Sequence, residues 1–412
     1  MALRPSAIAD LAKMLVAGGI TVDPLAYAPT VDDVRRLAKG KLPRMAFDFV
    51  DGGADAEITL RSNVADLARV RFVPSSLRDV STIQLAKPVL GQTMPMPLLL
   101  APCGSVRVVG RDGELSAVRA AGAAGLTYTI STASSWSIEE IAEQATGPLW
   151  FQLYMWRSRE VIAGLVDRAR AAGCRALVVT IDVAVNGKRS RDQRNGMSIP
   201  PQVTLRNALG AVRHPGWFTS LMTGPTIGFR NLMGVAEGSS AMSHQAYINT
   251  EMVNLKASWD DVAWLRSVWD GPLLVKGITS RADVEQSRRV GADGVWISNH
   301  GGRQLDSLPS TVSVLAPLVE AADGMEVIVD SGVRTGGDVV KMLGLGATAA
   351  AVGRPWVYGV AAAGERGVTK VIDLLTAELR ETMILLGETD VSRLGRQHLR
   401  VPPEFLTDSA SV

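Results

Sequence analysis

Very little in this sequence points to a protein held together by covalent or metal cross-links. Only 2 of its 412 residues are cysteines and only 4 are histidines, so we expect neither a disulfide framework nor a metal site. The N-terminus lacks the basic, apolar and small-residue order of a secretory signal, and no apolar run reaches the ~18 residues that span a bilayer. These absences predict a cytoplasmic chain without a membrane-spanning anchor.

An excess of charge of either sign is also missing. The chain has 43 Lys and Arg residues against 41 Asp and Glu residues, which gives a formal net charge of +2. A nucleic-acid-binding protein usually carries a clear positive excess, so no nucleic acid partner is expected. With 47% hydrophobic and 20% charged residues, the composition is that of a globular protein with a large core.

What the sequence does contain is a series of eight short apolar runs. Continuous hydrophobicity is typical of strands that are buried on both faces, and amphipathic helical segments separate consecutive runs. Ser137-Ile-Glu-Glu140, for example, has the spacing of a capping box at the start of a helix. The runs are 97–102, 127–132, 150–154, 176–181, 272–277, 294–300, 326–331 and 349–354.

Eight strand and helix units in succession predict an α/β fold, a closed (β/α)8 TIM barrel. We expect a single domain over 1–412, with a barrel core at about 97–363 and an insertion after the fourth strand at about 186–258. Helices at 30–39, 43–52 and after 364 are expected to pack on the barrel. A doubly wound open sheet is the alternative, but the G-x-G-x-x-G fingerprint of that fold is absent after the first strand.

The insertion is both basic and apolar. Between Asp192 and Glu237 it has no acidic residue, while it carries Arg194, Arg206, Arg213 and Arg230. It also carries Trp217, Phe218, Leu221, Met222, Ile227, Phe229, Leu232 and Met233. This pattern predicts either a peripheral contact of about 203–236 with the anionic inner face of the cell membrane or a lid or subunit-contact loop whose apolar residues are buried.

Polar side chains collect where the predicted strands end, which is where barrels of this type place their active site. They are Ser131, Gln152, Tyr154, Thr180, Asp182, Lys276, Ser298, His300, Asp330, Arg334, Gly353 and Arg354. Lys276 ends an apolar strand and therefore needs a negative partner, either a protein carboxylate or a bound anion. Gly332 and Arg334 after the seventh strand and Gly353 and Arg354 after the eighth predict a phosphate-bearing cofactor.

His300 is the only histidine at the end of a predicted strand. Its ordinary pKa, near ~6.5, suits a general base, and Asp182 could orient the ring. A core histidine satisfied by hydrogen bonds is the structural alternative. Arg303 and Arg189 could hold a substrate carboxylate between them, or could be surface charges.

Taken together, these motifs resemble those of the FMN-dependent 2-hydroxy-acid oxidase and dehydrogenase family. The similarity runs from about 42 to 387 and is most specific at Ser298-Asn-His-Gly-Gly-Arg-Gln-Leu-Asp306. Ser131-Thr-Ala-Ser, Trp150-Phe-Gln-Leu-Tyr154 and Asp182-Val-Ala-Val-Asn-Gly187 are most similar to the bacterial mandelate dehydrogenase branch. The resemblance implies FMN as cofactor and oxidation of an L-2-hydroxy acid to the 2-oxo acid.

The resemblance also implies a role for each matching residue. His300 would be the base, Asp182 its partner, and Tyr154, Arg189 and Arg303 the substrate-binding side chains. Contacts to the flavin ring are implied for Ser131, Gln152, Thr180, Lys276 and Ser298, with Cys103 and Gly104 beside it. Contacts to the phosphate end are implied for Asp330, Gly332, Arg334, Gly353 and Arg354.

Three positions bear on substrate and acceptor. Phe49 stands where the family usually has a tyrosine that contacts the substrate carboxylate, so weaker binding or an altered substrate preference is expected. Cys103 stands where threonine is common. Gly104 stands where the oxidases tend to carry alanine, which favours quinone, or another acceptor besides oxygen.

The sequence therefore predicts a flavin dehydrogenase that prefers mandelate-like substrates first and lactate-like substrates second. Family likeness suggests a homotetramer. The alternatives are an oxygen-using oxidase or monooxygenase, a phosphate-binding lyase or isomerase without flavin, and a non-catalytic flavin-binding or membrane-docking protein. Whether the base takes a proton from the hydroxyl group or from the carbon is left open by the sequence.

Overall fold

Eight parallel strands form the centre of the molecule, as predicted. A computed structural model describes residues 23–197, 210, 212–225, 227–233 and 254–407. The eight strands are β1 (Leu98–Leu100), β2 (Tyr128–Ser131), β3 (Leu149–Tyr154), β4 (Ala176–Thr180), β5 (Leu273–Ile278), β6 (Gly294–Ile297), β7 (Glu326–Val329) and β8 (Ala349–Val352). Each lies within one residue of the run that predicted it or inside that run.

The strands close into a barrel in sequential order. Each strand pairs in parallel with its neighbour along the chain, and β8 pairs with β1, where Leu98 lies opposite Ala350. Because no edge strand is left in the ring, the (β/α)8 barrel is confirmed and the open doubly wound sheet is excluded.

Strand alternation sorts the side chains into an inner and an outer layer. The inner layer packs small and large apolar residues together, and the rings of Trp150 and Trp296 meet edge to face with centroids 6.4 Å apart. A hairpin of two short strands, Lys87–Val89 and Gln92–Met94, contributes Val89 and Met94 to the same cluster. The barrel is therefore a filled core whose last inward-facing residues lie at the carboxyl ends of the strands.

Helices cover the outside of the barrel, and several of them begin with a side-chain cap. Ser137 and Glu140 form the predicted capping box. The helices are Val31–Lys41, Arg44–Asp51, Ile58–Arg69, Glu114–Ala123, Ile138–Glu143, Arg159–Ala171, Ser190–Asn195, Pro215–Met222, Trp259–Val268, Arg281–Arg289, Thr311–Ala322, Gly336–Gly344, Arg354–Ala363 and Glu365–Leu386. Two further short strands, Arg71–Phe72 and Leu399–Arg400, pair antiparallel outside the barrel.

The insertion divides its apolar residues between the interior and the surface. Trp217, Leu221, Ile227, Phe229 and Leu232 pack into the core, whereas Phe218, Met222 and Met233 are exposed. Residues 203–209, 211, 226 and 234–236 of the segment predicted to contact a membrane lie outside the described residues, as does Arg206. Within the described parts of the chain, no helix combines the length and the apolarity that a bilayer span requires.

Two glycine substitutions are expected to change the free energy of unfolding in opposite directions. Gly336 packs against helix Glu365–Leu386 so closely that a methyl group would clash with the backbone of Leu375 and Leu379. We expect Gly336→Ala to lower the free energy of unfolding by about 1–3 kcal/mol. Gly164, inside helix Arg159–Ala171, has no atom within 4 Å of an added methyl group, so Gly164→Ala should raise stability by up to ~1 kcal/mol. Denaturant unfolding of both variants would measure this, and effects of the same sign would contradict the packing argument.

Candidate active site

A cavity of about 230 Å³ opens at the carboxyl ends of the strands. Twelve of the residues singled out from the sequence line it: Cys103, Gly104, Tyr154, Arg189, Lys276, His300, Arg303, Asp330, Gly332, Arg334, Gly353 and Arg354. The structure therefore gathers residues that are up to 251 positions apart in the sequence (Cys103 to Arg354) around one space.

Four other predicted residues are buried behind the cavity wall and do not line the cavity. Ser131 donates to Gln152 (Oγ to Oε1, 3.2 Å), and the Gln152 amide donates to Thr180 (Nε2 to Oγ1, 3.0 Å). Ser298 is fully buried and accepts a hydrogen bond from Lys276 (2.9 Å). Direct contact of these four with a flavin ring stays a prediction.

Lys276 has the first of the two partners that the sequence left open, a protein carboxylate. Its ammonium lies 3.4 Å from the Asp330 carboxylate and donates to Ser298. Asp330 in turn accepts from the Trp296 indole (3.0 Å) and from Ser331 (2.7 Å). Because the lysine lines the cavity while its charge is balanced by the protein, it can be buried here and still face a ligand.

His300 and Asp182 are paired as predicted. The Nδ1 atom of His300 lies 3.1 Å and 3.2 Å from the two oxygens of Asp182. Burial by itself would raise the pKa of Asp182, but His300 and then Lys276 outweigh burial and lower it. An ionised Asp182 holds the proton on Nδ1, which leaves Nε2 as the ring nitrogen that can accept another proton.

One glycine makes room for this pair. Gly277 has a φ of +103°, at an irregularity in the pairing of β5 and β6, and a side chain there would lie 2.7 Å from the Asp182 side chain. His300 itself has a positive φ of 56°, followed by positive φ at Gly301. A histidine in the left-handed region is held there by its surroundings, which is typical of a functional position.

The surroundings that hold His300 were not identified from the sequence. Asn63 and Asn299 exchange two amide hydrogen bonds of 2.9 Å and 2.8 Å in the core. Asp306 accepts from the backbone N–H groups of Ala56, Ile58 and Thr59 at the start of helix Ile58–Arg69. The catalytic segment is thus fastened to helix Ile58–Arg69. The only sequence signal for this contact is Asp306, because aspartate is a residue type that commonly caps a helix.

Arg189 and Arg303 both lie against one aromatic ring. Their guanidinium carbons are 5.1 Å and 5.5 Å from the centroid of Phe49. Burial lowers the pKa of Arg303, and the charges of Arg189 and Arg354 lower it further. Two neighbouring cations in a poorly solvated cavity favour an anionic ligand between them.

The residues predicted for the phosphate end also lie together. Gly332, with a φ of +92°, approaches the backbone of Asn63 so closely that no side chain would fit. Gly353 and Arg354 begin helix Arg354–Ala363, so the first turn of that helix faces the cavity beside Arg334. Arg354 donates to the carbonyls of Val50, Gly301 and Gly52 at distances of 3.0, 2.9 and 2.7 Å. Helix N–H groups and guanidinium groups are the donors that bind a phosphate.

The loop after β1 supplies a thiol and a glycine to the cavity. Burial raises the pKa of Cys103 to about 12, so its thiol stays protonated. A side chain at Gly104 would lie 2.7 Å from Cβ of Ala133, so the loops after β1 and β2 are in close contact here. Burial likewise raises the pKa of Tyr154, whose hydroxyl therefore stays a hydrogen-bond donor.

Glu114 is a buried carboxyl that the sequence analysis missed. One of its oxygens accepts from the backbone N–H of Val106 (3.1 Å) and of Ser135 (2.8 Å), which ties the loop after β1 to the loop after β2. The other oxygen has no hydrogen-bond partner. Glu114 therefore supports the side of the cavity that carries Gly104.

A closed (β/α)8 barrel that places a histidine–aspartate pair beside neighbouring cations and the first turn of a helix defines a class of protein: a barrel protein whose active-site cavity is suited to anionic, phosphorylated ligands. A sequence model of the FMN-dependent dehydrogenase family matches residues 38–401. The match covers most of the chain, and the chain belongs to this family. FMN is thus its cofactor, as expected.

Similar proteins of known sequence and structure agree with this assignment. An L-lactate dehydrogenase of Vibrio cholerae is 40% identical over 89% of this chain and 97% of its own length. A putative L-lactate dehydrogenase of Mycobacterium tuberculosis is 40% identical over 91% of this chain and 90% of its own length. The crystal structure of the monotopic membrane protein (S)-mandelate dehydrogenase superposes with a TM-score of 0.87 and 40% identity, over 90% of this chain and 99% of that one.

These comparisons confirm the reaction class predicted from the sequence, FMN-dependent oxidation of the CH–OH group of an L-2-hydroxy acid. The alternative of a lyase or isomerase without flavin is excluded by the family assignment. The individual roles of the site residues stay predictions, which the geometry above makes specific.

The environment of Glu114 predicts a pH-dependent stability. Burial raises its pKa to about 7, although the N–H groups of Ser135 and Val106 oppose this shift. Because an unfolded glutamate ionises near ~4.3, the folded state holds an extra proton between the two values. The contribution of Glu114 to the free energy of unfolding is therefore fully present below the unfolded pKa. It falls by up to about 1.4 kcal/mol per pH unit as the pH rises to about 7.

We expect Glu114→Gln to remove this contribution. The free energy of unfolding of the variant minus that of the parent should therefore be more positive at pH 8 than at pH 5. Urea unfolding across this pH range would measure the difference. The exposed Glu160 provides the control, and Glu160→Gln should leave the pH dependence unchanged. An unaltered slope in Glu114→Gln would show that the buried carboxyl does not titrate as argued.

Proposed function

We propose that this chain oxidises an aryl L-2-hydroxy acid similar to mandelate, with lactate-like acids as the second choice, and that His300 is the general base. The observation that carries the proposal is the pairing of His300 with an ionised Asp182 in the cavity that also contains Arg189 and Arg303. The curated L-lactate dehydrogenases and the (S)-mandelate dehydrogenase structure support both substrate types.

The protein side chains divide the work of the reaction. Arg189 and Arg303 hold the substrate carboxylate, while the Tyr154 hydroxyl donates to the substrate. His300 removes one proton through Nε2, and Asp182 stabilises the imidazolium that results. Phe49 cannot donate a hydrogen bond, so the carboxylate depends on the two guanidinium groups alone.

FMN supplies the electron-accepting chemistry when it is bound, and the cavity has donors of the right kinds for it. Lys276 would stabilise negative charge at the ring end, where Ser131, Gln152, Thr180 and Ser298 add hydrogen-bonding groups. At the other end Gly332, Arg334, Gly353 and Arg354 would bind the phosphate. Gly332 lines the cavity at this end, and its lack of a side chain lets the loop after β7 pack against the backbone of Asn63.

We further propose that the enzyme docks on the membrane and passes electrons to a quinone. The described part of the insertion exposes Val212, Phe218 and Met222 beside the exposed Arg213. An apolar surface flanked by a positive charge fits an anionic bilayer, where quinones reside. The similar (S)-mandelate dehydrogenase is described as a monotopic membrane protein, which supports the docking. A homotetramer is also proposed, and light scattering in solution would test it.

The substrate proposal is tested by anaerobic flavin reduction with a panel of L-2-hydroxy acids. We expect mandelate to bleach the flavin fastest, and His300→Asn to slow reduction by about 100-fold or more while FMN stays bound. His214, which bonds the carbonyl of Gly210 in the insertion, is the matched control, and His214→Asn should leave the rate unchanged. Rapid reduction of the His300→Asn flavin would refute the role of the base. Mixing the reduced enzyme with a soluble quinone or with oxygen then identifies the acceptor.

Membrane docking is tested with the double variant Phe218→Asp and Met222→Asp. Because both side chains are exposed, the change should leave folding intact and weaken sedimentation with phosphatidylglycerol vesicles by about 10-fold or more. Leu77 is fully exposed outside the insertion, so Leu77→Asp serves as the control. Equal vesicle binding by the parent and the double variant would argue against docking through this helix.

A further inference from the structure

The insertion contributes an aromatic side chain to the catalytic cavity. Phe229, which lies in the described part 227–233, is only 8% exposed and lines the cavity together with Phe49 and Val183. Neither the family motifs nor the reaction chemistry uses this residue.

A buried asparagine anchors the segment that carries Phe229. Asn231 is completely buried, and its amide nitrogen donates to the carbonyls of Ser131 and Thr132 (both 3.3 Å) and to the Ser134 hydroxyl (3.0 Å). Its amide oxygen accepts from the backbone N–H of Ile138 (2.8 Å). One side chain thus satisfies four hydrogen bonds, and removing it would leave buried groups without partners.

Backbone contacts fasten the same segment on both sides of the asparagine. The N–H of Arg230 donates to the carbonyl of Ser134 (3.1 Å), and Arg168 donates to the carbonyl of Asn231 (2.6 Å). Residues 229–231 therefore lie along the loop after β2, whose Ala133 also lines the cavity. The backbone next to Phe229 is thus fastened to the barrel, and the ring itself is buried.

The order of the strands fixes what Phe229 faces. In the closed ring of eight, β2 stands four strands from β6 in either direction, so the loops that follow them lie on opposite sides of the cavity. The loop after β6 carries His300 and Arg303. Phe229 lies along the loop after β2, so it is across the cavity from His300 and Arg303 and is available to the substituent of a substrate that these two residues hold.

We propose that Phe229 is a specificity-determining residue that contacts the side chain of the 2-hydroxy acid, and that Asn231 positions it. This inference rests on the proposed function and deepens it. A buried phenyl ring in a cavity that Val183 also lines favours an aryl substituent, which gains both buried area and ring contact. A methyl substituent such as that of lactate is too short to gain as much.

The test compares kcat/KM for L-mandelate with kcat/KM for L-lactate. Phe229→Ala should lower the mandelate value by at least about 10-fold while changing the lactate value by less than about threefold. Phe229→Leu keeps most of the volume and should lie between the parent and Phe229→Ala. Phe218, an exposed phenylalanine of the same insertion, gives the matched control, and Phe218→Ala assayed with a soluble acceptor should leave the ratio unchanged.

Asn231 is tested through the same ratio, because a merely structural role would not change substrate preference. Asn231→Ala should shift the ratio in the same direction as Phe229→Ala, and the double variant should show no further shift. A loss of stability or FMN content without a change of ratio would overturn the positioning role of Asn231. FMN absorbance and melting temperature are recorded for every variant.

The outcomes separate this inference from the proposed function. If none of the 2-hydroxy acids in the panel reduces the flavin of the parent enzyme, the proposed function itself fails. If the parent is active but Phe229→Ala keeps its ratio, or loses both substrates equally, then Phe229 does not determine specificity and this inference alone is overturned.

Discussion

Closure of the barrel is the constraint on which the rest of this structure depends. Once eight strands form a ring, every second side chain must point into a space that water cannot fill, and only the last inward layer reaches the ligand. Below that layer the inward residues are apolar, such as Trp150 and Trp296. In it they are polar, and Gln152, Thr180 and Lys276 satisfy one another or their neighbours by hydrogen bonds.

The charges of the site are compatible with burial because each is matched locally. Lys276 lies against Asp330, and His300 against Asp182. The exceptions are the arginines of the cavity: among the described residues, Arg189 has a carboxylate at Asp192, 3.0 Å away, whereas Arg303, Arg334 and Arg354 form no ion pair. The unbalanced positive charge therefore lies where the substrate carboxylate and the cofactor phosphate are expected, and it favours anionic ligands.

The insertion links the surface of the molecule to this site. Its helix Pro215–Met222 exposes Phe218 and Met222, while Arg107, from the loop after β1, donates to the last carbonyls of the helix at Ser220 and Leu221 (both 3.1 Å). Phe229 then enters the cavity a few residues later. The segment therefore has an exposed apolar face, on which the proposed membrane contact depends, and a buried face that lines the cavity.

The sequence alone determined the strands, the barrel and most of the cavity residues, because hydrophobic period and strand ends are local patterns and the 298–306 motif is specific. It could not reveal Asn63, Glu114, Phe229 or Asn231. Each acts through contacts with residues distant in the chain, and none has a local signal that distinguishes it from an ordinary core or loop residue. Only the tertiary structure decided that Ser131 and Gln152 lie behind the cavity wall and that Arg189 and Arg303 both lie against the ring of Phe49. Such neighbours arise only when segments distant in the chain pack together.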